Sequence, residues 1–121
     1  MSITVDLDKL AETLADFAYA YLVTVGDDYR AHTVAVTPVL SGRELHIGSV
    51  GNSTRRNAAA HPTVTLLWPP REPGGYTLIV DGGAAVNDDG VSVRPTGAVL
   101  HRPATPGVPT ASGCGDDCLP L

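Results

Sequence analysis

The stretch from Glu44 to Trp68, ELHIGSVGNSTRRNAAAHPTVTLLW, constrains the fold more than any other part of the chain. A β-like run, Glu44-Leu45-His46-Ile47, gives way to the small residues Gly48-Ser49-Val50-Gly51. Asn52 and Ser53 follow, both good helix N-caps, and the next turn carries Arg55 and Arg56. The helix ends at His61-Pro62, because the residue before a proline resists helical geometry. Thr63 to Trp68 then returns to β-branched and apolar residues. Strand, short helix and strand are therefore encoded back to back. The helix start gathers unpaired backbone N–H groups, a positive dipole end, hydroxyls and two guanidinium groups. That combination suits a phosphate or another compact anion. A capped surface helix with solvated arginines has the same sequence signature.

The flanking segments are read by period. Leu7, Leu10, Leu14, Phe17 and Tyr21 follow helical spacing, so residues 6–18 are expected as a first helix, capped by Asp6 or Asp8. Tyr19 to Val25 is rich in aromatic and β-branched residues and stops at Gly26-Asp27-Asp28, a strand and turn. Tyr29 to Val36 alternates, with Arg30, His32, Val34 and Val36 on one side. Arg43 to Gly48 is a third strand after the break at Pro38 and Ser41-Gly42. Thr63 to Trp68 is so continuously apolar that both faces are expected to be covered. Tyr76 to Val86 is a fifth strand, with a bulge or close backbone approach expected at Asp81-Gly82-Gly83. Val91 to His101 is a sixth, in which Pro95 favours an edge or a bend. Consecutive hairpins with few helices favour a small antiparallel barrel, and the βαβ alternation of a doubly wound fold is missing.

Composition narrows the function classes. A chain of 121 residues, 43% hydrophobic and 17% charged, reads as one domain. A net charge of −5 gives no basic footprint for nucleic acid or an anionic membrane. No apolar run approaches the roughly 20 residues of a membrane span, and the N-terminus lacks a signal peptide's regions, so cytoplasmic residence is expected. Neither phosphate-binding glycine motif (G-x-x-x-x-G-K-[ST] or G-x-G-x-x-G) occurs, nor does G-x-S-x-G. The four histidines, at 32, 46, 61 and 101, show no metal-ligand spacing. His32 and His46 are read as able to meet across paired strands, and His61 as a helix C-terminal residue. Trp68 is read first as a core or interface anchor, and Asp27-Asp28 and Asp88-Asp89 as turn residues. Residues 103–121 form a Pro/Gly-rich tail. Its Cys114 and Cys118 fit a reduced tail, a local disulfide or a metal half-site.

Taken in order, TVGDDYRAHTVAV, LHIGS, STRRNAAAHPTVTLLW and GYTLIVDGGAAV resemble the pyridoxamine 5′-phosphate oxidase-like family of flavin-binding split barrels, over about residues 7–102. Ser49, Arg56, Asn57 and Pro62 fall on that family's strand–Ser/Thr–basic helix–Asn–x-Pro pattern, and Gly82-Gly83-Ala84 on its later Gly-x-Ala. Thr54 stands where many relatives carry Lys or Arg, with Arg55 adjacent to take over.

The resemblance implies a mainly β, six-stranded antiparallel split barrel spanning residues 1–102, with two to three short α-helices. It further implies a homodimer with FMN, or alternatively a deazaflavin or haem, in a groove between the barrels. Ser53, Thr54, Arg55, Arg56 and Asn57 would then hold the phosphate end. Ser49 and Val50 would lie along the ring system, and Arg30 or His32 would complete the site. The implied activity is a flavin-dependent oxidoreductase moving hydride to or from a small organic substrate. A non-catalytic flavin- or haem-binding module is the competing class. True pyridoxamine phosphate oxidation needs a second phosphate grip, and Arg71, Arg94 and Arg102 form no pattern for one.

Overall fold

Alternating side chains build one antiparallel sheet of eight strands in the computed structural model, which describes residues 1–104. The strands are β1 Ser2–Thr4, β2 Ala20–Val25, β3 Ala31–Val36, β4 Val39–Ser41, β5 Glu44–Ile47, β6 Thr63–Trp68, β7 Thr77–Asn87 and β8 Gly90–His101. Two helices accompany them, α1 Leu10–Leu14 after a 3₁₀ turn at Leu7–Lys9, and α2 Asn52–Ala60. The hydrogen-bonded order is β3-β2-β6-β7-β8-β5-β4, with β1 also on β8.

The six expected strands are present, and β1 and β4 are additions to that expectation. Both are three residues long, too short for alternation to register. β8 is long enough to hold two partners on one edge, β5 against Val91–Val93 and β1 against Val99–His101. Pro95, which has no N–H to donate, falls between those partners. Opposite it lies Gly82, at the register shift between Asp81 and Gly82 where a bulge was expected. A Cβ on Gly82 would stand 2.5 Å from the Arg94 carbonyl oxygen and 2.8 Å from a Val93 methyl, so the two backbones approach too closely for any side chain.

The inward faces supply the core. Leu22, Leu45, Leu66, Leu78, Val80 and Val93 are fully buried, and Trp68 is buried with them as a core anchor. β6 corrects one expectation. Its Val64, Leu66 and Trp68 are buried, but Thr63 is exposed and Thr65 and Leu67 only half-buried, so one face alone is fully covered. Register extends that outer face across five strands: Ala35 lies beside Tyr21, Tyr21 beside Leu67, Leu67 beside Ile79, and Ile79 beside Val99.

The first helix is also shorter than its periodicity predicts. α1 stops at Leu14, and three-residue turns follow, with Asp16 N donating to Thr13 O and Phe17 N to Leu14 O. Leu14 and Phe17 still pack on the core, which is why their spacing reads as helical. Among the described residues, no helix is long and apolar enough to cross a membrane. Cys114, Cys118 and the tail from residue 105 lie outside the described residues.

Candidate functional site

Helix α2 carries no apolar stripe, yet it docks firmly because its buried side is made of small and polar residues. Thr54, Asn57 and Ala58, spaced for one helical face, are the buried ones. Asn57 Nδ2 donates to Thr24 Oγ1 on the inner face of β2 at 3.2 Å, a fully buried bond between two side chains. At the other flank, Arg55 Nη1 donates to the Asn87 carbonyl in the β7–β8 turn at 3.0 Å. The N-cap is Gly51, with no side-chain capping bond, rather than Asn52 or Ser53. At the far end the helix is closed by His61 N donating to Asn57 O at 2.7 Å.

Docked in this way, α2 faces the β2–β3 hairpin across a cleft of about 450 Å³. From α2 the cleft receives Ser53, Arg56 and Asn57, and from the hairpin Arg30 and His32. Five of the nine residues singled out from the sequence therefore meet in one place. His32 sits opposite Thr24 in the β2–β3 ladder, on the side that also receives Asn57.

The remaining four are placed elsewhere. Thr54 is buried under the helix, and its Oγ1 has no hydrogen-bond partner among the described residues. Arg55 is committed to Asn87, and Ser49 and Val50 lie before the helix, outside the cleft wall.

Sequence reasoning misses Asp27 and Asp28 as members of this wall, marking them only as turn residues. No local signal distinguishes them; the hairpin must first be laid against α2. Both carboxylates have basic neighbours. Asp27 Oδ1 lies 2.8 Å from His61 Nε2, and Asp28 Oδ2 lies 3.8 Å from Arg30 Nε, while Asp28 Oδ1 accepts from Arg30 N at 3.0 Å. The Arg56 side chain makes no ion pair or hydrogen bond among the described residues, so its guanidinium is open to an incoming anion. The cleft is mixed in sign, with one uncommitted positive group, rather than uniformly electropositive.

His32 and His46 do not meet. β3 pairs only with β2, whereas β5 lies between β4 and β8 near the other end of the sheet order. His46 Nδ1 instead lies 3.0 Å from Ser92 Oγ, which also accepts from Asn87 Nδ2 at 3.2 Å. Among the described residues no group of three or more His, Cys, Asp or Glu side chains is placed to hold a metal ion. The phenol of Tyr19, outside the cleft, is shifted upward because it shares a 3.3 Å hydrogen bond with the Tyr21 hydroxyl.

No family model matches the chain. Two uncharacterized proteins, of Mycobacterium bovis and Mycobacterium tuberculosis, are each 48% identical over 134 aligned positions, spanning 95% of this chain and 93% of the relative. Several solved structures share its fold. A Listeria innocua protein described as a candidate pyridoxamine 5′-phosphate oxidase aligns with a TM-score of 0.66 at 18% identity, over 78% of this chain and 96% of its own. An FAD-binding protein of Mycobacterium smegmatis aligns at 0.62 and 19%, over 84% of this chain and all of its own (100%). An F420 reductase aligns at 0.61 and 22%, over 72% and 94%.

Proposed function

We propose that the chain, which shares the split-barrel fold of its structural neighbours, belongs to the pyridoxamine 5′-phosphate oxidase-like family and is a flavin-dependent oxidoreductase that binds FMN between two copies of itself. The observation that carries this reading is the convergence of Ser53 and Arg56 from α2 with Arg30 and His32 from β3 on one cleft. Those groups fit a single phosphate: an uncommitted guanidinium, a hydroxyl, and a second guanidinium at the rim. A volume near 450 Å³ is within the usual range for small-molecule sites.

When bound, FMN supplies the hydride chemistry. The chain's own residues orient and enclose it. Arg56 and Ser53 hold the phosphate end, and Arg30, tethered by Asp28, adds positive charge at the mouth. Asn57 and Arg55 position α2 by their bonds to Thr24 and Asn87, so that Arg56 is presented rather than drawn inward. Ser49 and Val50, leading into the helix, remain the candidates to run along the ring system. The substrate is a small organic molecule, and no side chain of the cleft is assigned a proton-transfer role.

Homodimerisation is part of the proposal. A cleft walled only by α2 and the β2–β3 hairpin leaves much of a tricyclic cofactor uncovered, whereas small-molecule sites ordinarily bury most of their ligand. The row Ala35-Tyr21-Leu67-Ile79-Val99 offers an apolar face for a second copy.

A deazaflavin is the alternative cofactor, favoured by the likeness to an F420 reductase. Titration of the purified protein with FMN and with a deazaflavin distinguishes them. Arg56→Ala is expected to weaken the preferred cofactor roughly ten- to a hundredfold, the scale of a charge-assisted hydrogen bond. Unchanged affinity removes Arg56 from the site. Anaerobic mixing of the loaded protein with nicotinamide donors separates an enzyme, which is reduced, from an inert flavin-binding module.

A further inference from the structure

The hairpin that walls the cleft contains a residue the fold does not ask for. Between β2 and β3, Tyr29 N donates to Gly26 O and Gly26 N to Arg30 O, each at 3.0 Å. This is a β-turn closed by a residue in the left-handed region, a position that glycine normally fills. Here it is Tyr29, with φ +62°, and among the described residues no other non-glycine has a positive φ. Bulky side chains crowd the backbone in this conformation. The turn's backbone bonds hold it there, but no contact of the Tyr29 side chain within the described residues rewards the choice of a bulky residue. Tyr29 is 89% exposed, and its side chain takes part in no hydrogen bond or aromatic pair among the described residues. An aromatic residue held under strain and facing water points to a contact with something outside the chain.

We propose that Tyr29 is a recognition residue of the cleft, its ring stacking on the planar ring system of a ligand whose anionic end rests on Arg56. The proposal deepens the flavin reading and rests on it. Both neighbours of Tyr29 in sequence, Asp28 and Arg30, line the cleft, which puts Tyr29 at its rim. The lining itself consists of charged, small and polar residues, with no phenyl, phenol or indole and no large aliphatic side chain. It grips an anion well and offers little to a flat aromatic body. Tyr29 supplies that missing surface, and ring-on-ring stacking needs no hydrogen-bond register.

The test uses the full chain with Tyr29→Gly and Tyr29→Phe, thermal melts without ligand, FMN titration by fluorescence, and sedimentation velocity at the titration concentration. Tyr29→Gly is expected to raise Tm by roughly 2–6 °C, because glycine fits the turn, while weakening FMN about tenfold. Tyr29→Phe is expected to retain the parent Tm and affinity. Rising stability with falling affinity is the opposite of what a packing residue does.

Unchanged affinity in Tyr29→Gly overturns the proposal, as does a lowered Tm, which would mean the ring packs within the chain. Equal weakening in Tyr29→Phe overturns it by assigning the contact to the hydroxyl. Weakening that accompanies loss of a dimer overturns it by assigning the contact to the second copy. If the unaltered protein binds no FMN, the flavin reading and this proposal fail together; if it binds and Tyr29→Gly binds equally well, only this one fails.

Discussion

At the scale of single residues, Thr54 and Arg56 show how a step of two positions along a helix separates structure from chemistry. Successive helical residues are rotated by about 100°, so once Asn57 is fixed to Thr24, Thr54 must turn inward and Arg56 outward. Thr54 brings a hydroxyl into the core without a partner among the described residues. Thr54→Val keeps the shape and removes that orphan, so it is expected to leave stability unchanged or raise it by up to about 1 kcal/mol, read as the midpoint of urea unfolding. FMN affinity is expected to stay at the parent value. A loss of affinity would show that the hydroxyl reaches the ligand after all. Ser53, Arg56 and Asn57 are legible in the sequence as a group, because hydroxyl, guanidinium and amide chemistry gathered on one helix is visible without coordinates. Which of Ser53 to Arg56 faces the cleft is not legible, since a helix of polar residues and alanines has no stripe of large apolar side chains to set its phase.

At the scale of elements, the legible parts are those whose pattern is local. Alternation locates β3, runs of β-branched, aromatic and apolar residues between turn signals locate β2, β5, β6, β7 and β8, and the proline rule ends α2 at His61. What stays hidden depends on distant partners. β1 exists because Ser2–Thr4 lies along Val99–His101, and α1 breaks early although its apolar spacing continues, since Leu14 and Phe17 reach the core from irregular turns. The bulge in β7 is legible because glycine weakens a strand interior, so a glycine pair there marks a bend or a close approach of backbone. Its consequence is severe. Gly82→Ala would drive a methyl onto the backbone oxygen of Arg94, which belongs to the same ladder and has little freedom to yield. A destabilisation of about 1–3 kcal/mol is expected, measured by thermal or urea unfolding. Gly83→Ala serves as the control, for a Cβ there meets nothing within 4 Å.

At the scale of the whole molecule, the sheet has a covered side and a half-covered one, and the second is the face the proposed dimer would use. Tyr21, Leu67 and Ile79 line up across β2, β6 and β7, only half-buried and, apart from the Tyr21 hydroxyl, apolar. Leu67 is the centre of that row. Leu67→Glu places a charge in the middle of the face and leaves the inward residues Leu66 and Trp68 untouched, so the chain is expected to keep its circular dichroism spectrum. If two copies meet there, the variant sediments as a monomer while the parent sediments as a dimer, because an unpaired charge at an interface core costs several kcal/mol. On the proposed reading FMN retention falls with it, because the walls of one cleft, α2 and the β2–β3 hairpin, would leave the rings largely uncovered. A dimer that survives Leu67→Glu with its flavin affinity intact would place the contact between copies on some other surface, and would leave the outer row unexplained by assembly.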